Sequence, residues 1–249
     1  MRARLGVPIA VLCATIVMPT RDTFAQSDGD KHSSFTPYGW LAGMTGVVGF
    51  AVSAASVDLG VSDILDNLDM SIGALLEYGR GRWLGRLDVT YVAVSDSRAV
   101  EEGSETTVIF EFEQTMLQPE IGYTVVQAPW GGIDLLGGGR YWHPKVEVSA
   151  DAPGGSVDIG GGSRSWIDGI AGARVRYNPA EKWHLFAKGD VGAGGSKLTW
   201  QAFGGLGFDV SNCCAVTAAY KHLDVNYERD ALVSDNYTSG AVLGFEIRF

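Results

Sequence analysis

From about residue 36 onward, apolar and polar side chains alternate with a period of two, in runs bounded by clusters of Gly, Pro, Asn and Asp. The alternation predicts ten strands, near 36–55, 68–79, 83–97, 106–127, 132–149, 156–177, 183–194, 196–210, 214–228 and 236–249. Their connections differ in length from one side to the other. Gly79 to Arg82, Ala128 to Gly131, Asn178 to Glu181 and Ser211-Asn212 are tight, whereas Val57 to Asp69, Asp96 to Glu105 and Glu228 to Asp235 are longer and more acidic. Short turns at one end and long loops at the other characterise bacterial transmembrane barrels. The expected fold is therefore all-β: a single antiparallel up-and-down transmembrane β-barrel of ten strands, eight being the alternative count. Within the first long connection, Ser62 as N-cap and an Ile64, Leu65, Leu68 face predict a short helical ornament.

The C-terminal segment shows the alternation most clearly. Ala241, Leu243, Phe245, Ile247 and Phe249 occupy one parity, and Gly240, Gly244, Glu246 and Arg248 the other. A last strand of this kind ending on an aromatic residue resembles the signal read by the outer-membrane assembly machinery, so Phe249 is the expected assembly signal.

Projecting the same parity along the other strands separates two faces. Leu198, Trp200, Ala202, Leu206, Phe208 and Val210 share one face, with Trp183, Leu185, Ala187 and Val191, and with Trp83, Leu87, Val89 and Tyr91. These are expected to meet lipid. Trp83, Trp183, Tyr78, Tyr123 and Tyr177 adjoin the short turns, where an interfacial girdle belongs. The opposite face carries Glu77, Arg86, Asp88, Glu120, Asp134, Arg140, Asp168, Arg174, Arg176, Lys188, Asp190, Lys197, Asp209, Lys221, Glu246 and Arg248. Acids and bases balance in this set. Because an unpaired charge away from water is costly, the balance predicts a salt-bridged lumen filled by its side chains, with glycines (137, 138, 139, 189, 192, 204, 205 and 207) making room for the long Arg and Lys chains opposite and allowing the sharp coiling of a small barrel.

The first residues change the compartment. Arg2 and Arg4 precede an apolar run from Leu5 to Met18, followed by Thr23-Phe24-Ala25. That arrangement predicts a signal peptide over 1–25, cleavage before Gln26 and a barrel domain over 26–249. The run is too short for a spanning helix, and no later stretch supplies one, so a membrane location must come from strands. The formal net charge of −10 speaks against a nucleic-acid partner. Cys213 and Cys214 are neighbours, too cramped for an ordinary disulfide and without metal-ligand companions. No cofactor or metal is expected.

Several short motifs share an order with a known group. Gly139-Arg140-Tyr141-Trp142, Trp166-Ile167-Asp168 with Gly172-Ala173-Arg174, Lys188-Gly189-Asp190-Val191-Gly192, Thr199-Trp200-Gln201-Ala202 and Ala219-Tyr220-Lys221-His222-Leu223-Asp224 resemble small proteobacterial outer-membrane barrels of the OmpA-like and OmpW-like porin family. The resemblance runs from Tyr38 to Phe249 and implies a barrel in the cell outer membrane, in contact with its lipid and lipopolysaccharide, with no agreed activity. The chain departs from that pattern at Lys188 and Lys221, where arginine is expected, and at His222, where an aromatic or Arg is usual.

Catalysis has candidates in His143, His184 and His222, but alternation converges no Ser-His-acid set on one spot. The chain is therefore not expected to be an enzyme. The leading expectation is a barrel with a charge-paired interior and a structural or surface-interaction role. A narrow passive channel for ions or small solutes is the alternative, and a lipid-directed outer-membrane hydrolase the second alternative.

Overall fold

A computed structural model describes residues 31–50, 53–59, 71–99, 106–229 and 232–249. The expected signal peptide, its cleavage before Gln26 and the helical turn at Ser62–Leu68 lie outside the described residues.

The described chain forms one antiparallel sheet closed on itself. Its strands are β1 (Lys31–Phe50), β2 (Ser53–Leu59), β3 (Ser71–Arg80), β4 (Trp83–Ala99), β5 (Thr107–Ala128), β6 (Gly131–Ala152), β7 (Gly155–Ser163), β8 (Trp166–Ala180), β9 (Trp183–Gly194), β10 (Leu198–Ser211), β11 (Cys214–Arg229) and β12 (Leu232–Arg248). Neighbours along the chain pair with one another except β2 with β3 and β7 with β8, and β12 closes the ring on β1 through Ser34↔Arg248 to Phe50↔Leu232. Phe249 continues the closure, its N–H donating to the Ser33 carbonyl at 3.0 Å.

The ring is ten strands around, with two of them interrupted. β2 and β3 pair successively with the upper and lower parts of β1. β7 and β8 do the same with β6, so the strand expected at 156–177 is broken at Arg164-Ser165. The 107–163 segment rises above the rest as tall β5 and β6 with β7 beside them. At β9 and β10 the wall is low, and their connection is as short as the turns, as the expected strands 183–194 and 196–210 imply.

The tight turns have local causes. Arg80 pairs with Trp83 across Gly81-Arg82, and Gly81 takes a left-handed φ of 61°, a conformation that two-residue hairpin turns require and that glycine adopts at no steric cost.

Parity assigns the faces as expected. Leu41, Ile72, Leu76, Ile121, Leu135, Ile167, Val191, Leu198, Leu206, Leu243 and Phe245 point outward and are exposed, a continuous apolar belt larger than a soluble monomer presents. Its lower margin is aromatic. Trp83 meets Tyr123 edge-on at 5.1 Å, Trp130 lies 6.4 Å from Tyr177, and Trp183 lies 4.9 Å from Phe208.

Ala202 stands six residues up β10 from Phe208. At strand rise and barrel tilt that is about 15 Å above the girdle, near the middle of the belt. Ala202→Arg is expected to cost about 2–4 kcal/mol, and Leu185→Arg, one pleat from Trp183, distinctly less. Urea titration of refolded protein in micelles checks the order. Equal costs, or a larger one at Leu185, would displace the belt.

Candidate functional site: the barrel lumen

The lumen has three storeys. The upper one, nearest the loops, is apolar: Trp40, Ala42, Met44, Val92, Val94, Phe112, Met116, Trp142, Val146, Trp166, Leu223, Val225, Tyr227 and Val242 form one buried cluster. Trp142 stacks on Trp166 at 5.8 Å, and Trp166 on Tyr227 at 3.9 Å. The sequence reading missed this plug and described the whole interior as ionic. On the upper parts of β5, β6 and β11 the contrast is inverted: Phe112, Met116, Trp142, Val146, Leu223 and Val225 point inward, while Glu111, Glu113, Lys145, Glu147, Asp224 and Asn226 have the outward parity.

Below it lies a layer of charges bonded from wall to wall. Asp134 holds Arg176 at 3.1 Å and Arg174 at 2.9 Å, and Arg174 reaches Glu77 at 2.6 Å. Glu77 takes Arg86 at 3.1 Å, and Arg86 reaches Glu120 at 3.0 Å. Glu120 takes Lys188 at 2.8 Å, Lys188 touches Asp190 at 3.1 Å, and Asp190 ends on Arg140 at 2.5 Å. The chain alternates in sign at every step. It also crosses the lumen, since Glu77 on β3 bonds β8 and Glu120 on β5 bonds β9. Arg140 is fully buried and also donates to Gln118 at 2.9 Å and to Thr199 at 2.8 Å.

A second crossing joins β11 to β4. Lys221 lies 3.5 Å from Asp88 and over the rings of Trp40 (4.9 Å) and Tyr38 (5.6 Å), while the Tyr38 hydroxyl donates to Asp88 at 2.6 Å. Lys221 thus joins the ionic layer to the aromatic plug.

Two residues expected in the lumen network are placed otherwise. Asp168 is fully buried but pairs with no cation among the described residues. It accepts the indole N–H groups of Trp142 (2.9 Å) and Trp166 (3.2 Å) and the Ser196 backbone N–H (2.7 Å), which tie the plug to the wall. Its strand partner Arg140 turns to Asp190 instead. Lys197 stands on the low rim beside β10, exposed, against Glu228. Glu246 and Arg248 sit at the turn end in a separate cluster, where Arg248 meets Asp209 at 2.8 Å and Glu246 at 3.0 Å, and His184 faces both acids at 3.7 and 3.8 Å.

The lowest storey is open. A cavity of about 720 Å³ enters from the turn end and rises to Tyr38, Asp88, Lys188 and Lys221, flanked by Phe186, Phe203, Arg174, Arg176 and His184. Complete filling by side chains, the expectation from sequence, is thus not met. Small inward residues of β10 to β12 and β1, among them Ser34, Thr36, Thr217 and Gly244, leave this wall thin. Glycines act differently from expectation as well. Gly138, Gly192, Gly205 and Gly207 share the inward parity, whereas Gly137, Gly139, Gly189 and Gly204 have the outward one. The space at Gly207 receives the His184 ring, and that at Gly73 the Tyr38 ring; a Cβ there would lie 1.9 and 2.2 Å from them. Rings, not Arg and Lys chains, lie over these two glycines.

Of the histidines named for catalysis, His222 faces outward between Trp200 (4.6 Å) and Tyr237 (5.4 Å). His143 also faces outward, its Nδ1 2.8 Å from Ser165 Oγ, which Tyr141 contacts at 3.0 Å. Among the described residues no carboxylate lies within ion-pair distance of His143, and no cluster of three His, Cys, Asp or Glu side chains is arranged to hold a metal.

A coupling test follows from Glu120, which holds both Arg86 and Lys188. Glu120→Gln and Lys188→Met are expected to cost less together than the sum of the single losses, with a coupling of about 0.5–3 kcal/mol. Strictly additive losses in urea titrations would mean that the two groups do not interact.

No family model matches the chain, and no curated protein matches it. Solved structures do. The outer-membrane protease OmpT of Escherichia coli superposes with a TM-score of 0.55 at 10% identity, over 92% of this chain and 99% of that one. The translocator domain of the autotransporter NalP from Neisseria meningitidis gives 0.47 at 13% identity, over 88% of each chain. Ail, the attachment invasion locus protein of Yersinia pestis, gives 0.43 at 12% identity, over 88% and 99%. The fold is that of an outer-membrane β-barrel. The narrower OmpA-like or OmpW-like grouping has no support from these matches.

Proposed function

We propose that the chain is exported behind a signal peptide covering 1–25, is assembled into the cell outer membrane through its C-terminal strand and Phe249, and serves there as a closed barrel with a structural or surface-interaction role. Its partners on this reading are outer-membrane lipid, lipopolysaccharide and the assembly machinery. The short turns then face the periplasm and the tall β5 to β7 wall faces outward.

The observation that carries the reading is the double closure of the lumen. An apolar plug lies above a wall-to-wall ionic layer, and the open space below ends against them. A conducting route would have to part stacked indoles and separate buried ion pairs, each costing several kcal/mol. The fold likeness to a protease carries no activity across, and among the described residues no carboxylate lies within ion-pair distance of His143 beside Ser165.

Fractionation tests the location. The protein should partition with outer membranes and migrate faster unheated than boiled. Recovery as a soluble periplasmic protein without heat-modifiable mobility would overturn the reading. Liposomes carrying the refolded barrel should not swell in isotonic sugars, and swelling would favour the narrow channel.

A further inference from the structure

The turn between β10 and β11 places two thiols side by side. Ser211 pairs with Cys214 across Asn212-Cys213, and the Cys213 carbonyl accepts the Arg248 N–H at 2.7 Å, which fixes the turn against the last strand. Consecutive residues of a regular strand point to opposite faces. Here Cys213 stands in the turn and Cys214 opens the strand, and their Sγ atoms lie 2.9 Å apart. Ser211 Oγ lies 3.3 Å from Cys213 Sγ. Cys213 is exposed and Cys214 half-buried, so a thiol reagent reaches the first and the second lies directly behind it.

We propose that Cys213 and Cys214 are a reversible dithiol–disulfide site, oxidised by exchange with a disulfide-bearing oxidant. The Cys213 thiolate attacks one sulfur of the oxidant, whose S–S bond breaks and whose departing thiolate takes up a proton. The Cys214 thiolate then attacks Cys213 sulfur in the mixed disulfide and expels the second thiol of the oxidant. Two protein thiols are oxidised, one external disulfide is reduced, and the two protons leave on the two released thiols. The order follows from exposure and from hydrogen bonding, since contacts from Cys214 and Ser211 hold the Cys213 thiol below its ordinary range. Neighbouring Cα atoms stand about 3.8 Å apart, closer than the roughly 4.4–6.8 Å usual for disulfides, so the bridge is of the labile, exchangeable kind. Only the compartment of the oxidant rests on the outer-membrane reading, where the turn faces the periplasm.

The refolded barrel in detergent micelles, shown to be folded by its heat-modifiable mobility, supplies the test. It is reduced, exposed to oxidised glutathione, alkylated and digested. The peptide containing Cys213 and Cys214 is expected to lose about 2 Da and carry no alkyl group, and to regain two alkylatable thiols on reduction. Cys214→Ser should accumulate a stable glutathione adduct at Cys213, and Cys213→Ser should form its adduct more slowly. The proposal is overturned if wild-type protein keeps both thiols alkylatable under conditions that fully modify Cys214→Ser. A persistent wild-type glutathione adduct, or cross-linked dimers in place of the 2 Da loss, would overturn it equally. None of these outcomes depends on where the protein resides in the cell.

Discussion

Arg140→Met is expected to lower the stability of the folded barrel by about 3–5 kcal/mol, read as a shift in urea midpoint at unchanged slope. The guanidinium is fully buried and donates to Asp190, Gln118 and Thr199. Its removal leaves Asp190 with Lys188 as its one remaining ion-pair partner among the described residues, which Glu120 already shares, and strips a fully buried carboxylate of its shortest contact. Arg174→Ala removes a similar group but from the wall of the open cavity, where water takes its place, and a smaller loss is expected. Adding Asp190→Asn to Arg140→Met should recover part of the loss, because the under-paired buried carboxylate is then gone. A cost under about 1 kcal/mol for Arg140→Met, typical of an exposed pair, would mean that the layer is hydrated.

Trp142→Ala is expected to cost about 3–5 kcal/mol, as large aromatic truncations in packed cores do. The indole is fully buried, stacks on Trp166 and donates to Asp168, so its loss opens a cavity and deprives a buried carboxylate of one donor. Trp142→Phe keeps most of the packing and loses only that hydrogen bond, so it should cost less. Equal effects for the two substitutions would assign the stability to the N–H and not to the plug.

The faces of the barrel were legible because a period of two leaves only one choice per strand. Glu246 and Arg248 against Phe245 and Phe249, or Lys188 and Asp190 against Ala187 and Val191, fix the register wherever the two parities differ in polarity. The plug was missed because the polarity of the two faces reverses further up the strands. On β5, Glu120 is inward and Ile121 outward below, whereas Phe112 is inward between outward Glu111 and Glu113 above; on β4, Tyr91, Val92, Ala93 and Val94 are all apolar and give no contrast.

Pairing was legible only between strand neighbours. Glu77, Arg86 and Glu120 adjoin in the ladder, so their contacts follow from register. The crossings from Glu120 to Lys188 and from Asp88 to Lys221 depend on barrel width, tilt and side-chain length, none of which one strand reveals. Asp168 shows the limit most plainly. Register sets it opposite Arg140, yet two indoles and a backbone N–H claim it. The open cavity was hidden as well, because Ser34, Thr217 and Gly244 leave space only in combination.

Planar-bilayer recording of the unmodified refolded barrel bears most directly on the closed lumen. With heat-modifiable mobility as proof of folding, the account predicts a silent membrane, without stepwise current at either polarity. Stable, ion-selective steps from the native protein would contradict it and make the charged layer the lining of a hydrated pore.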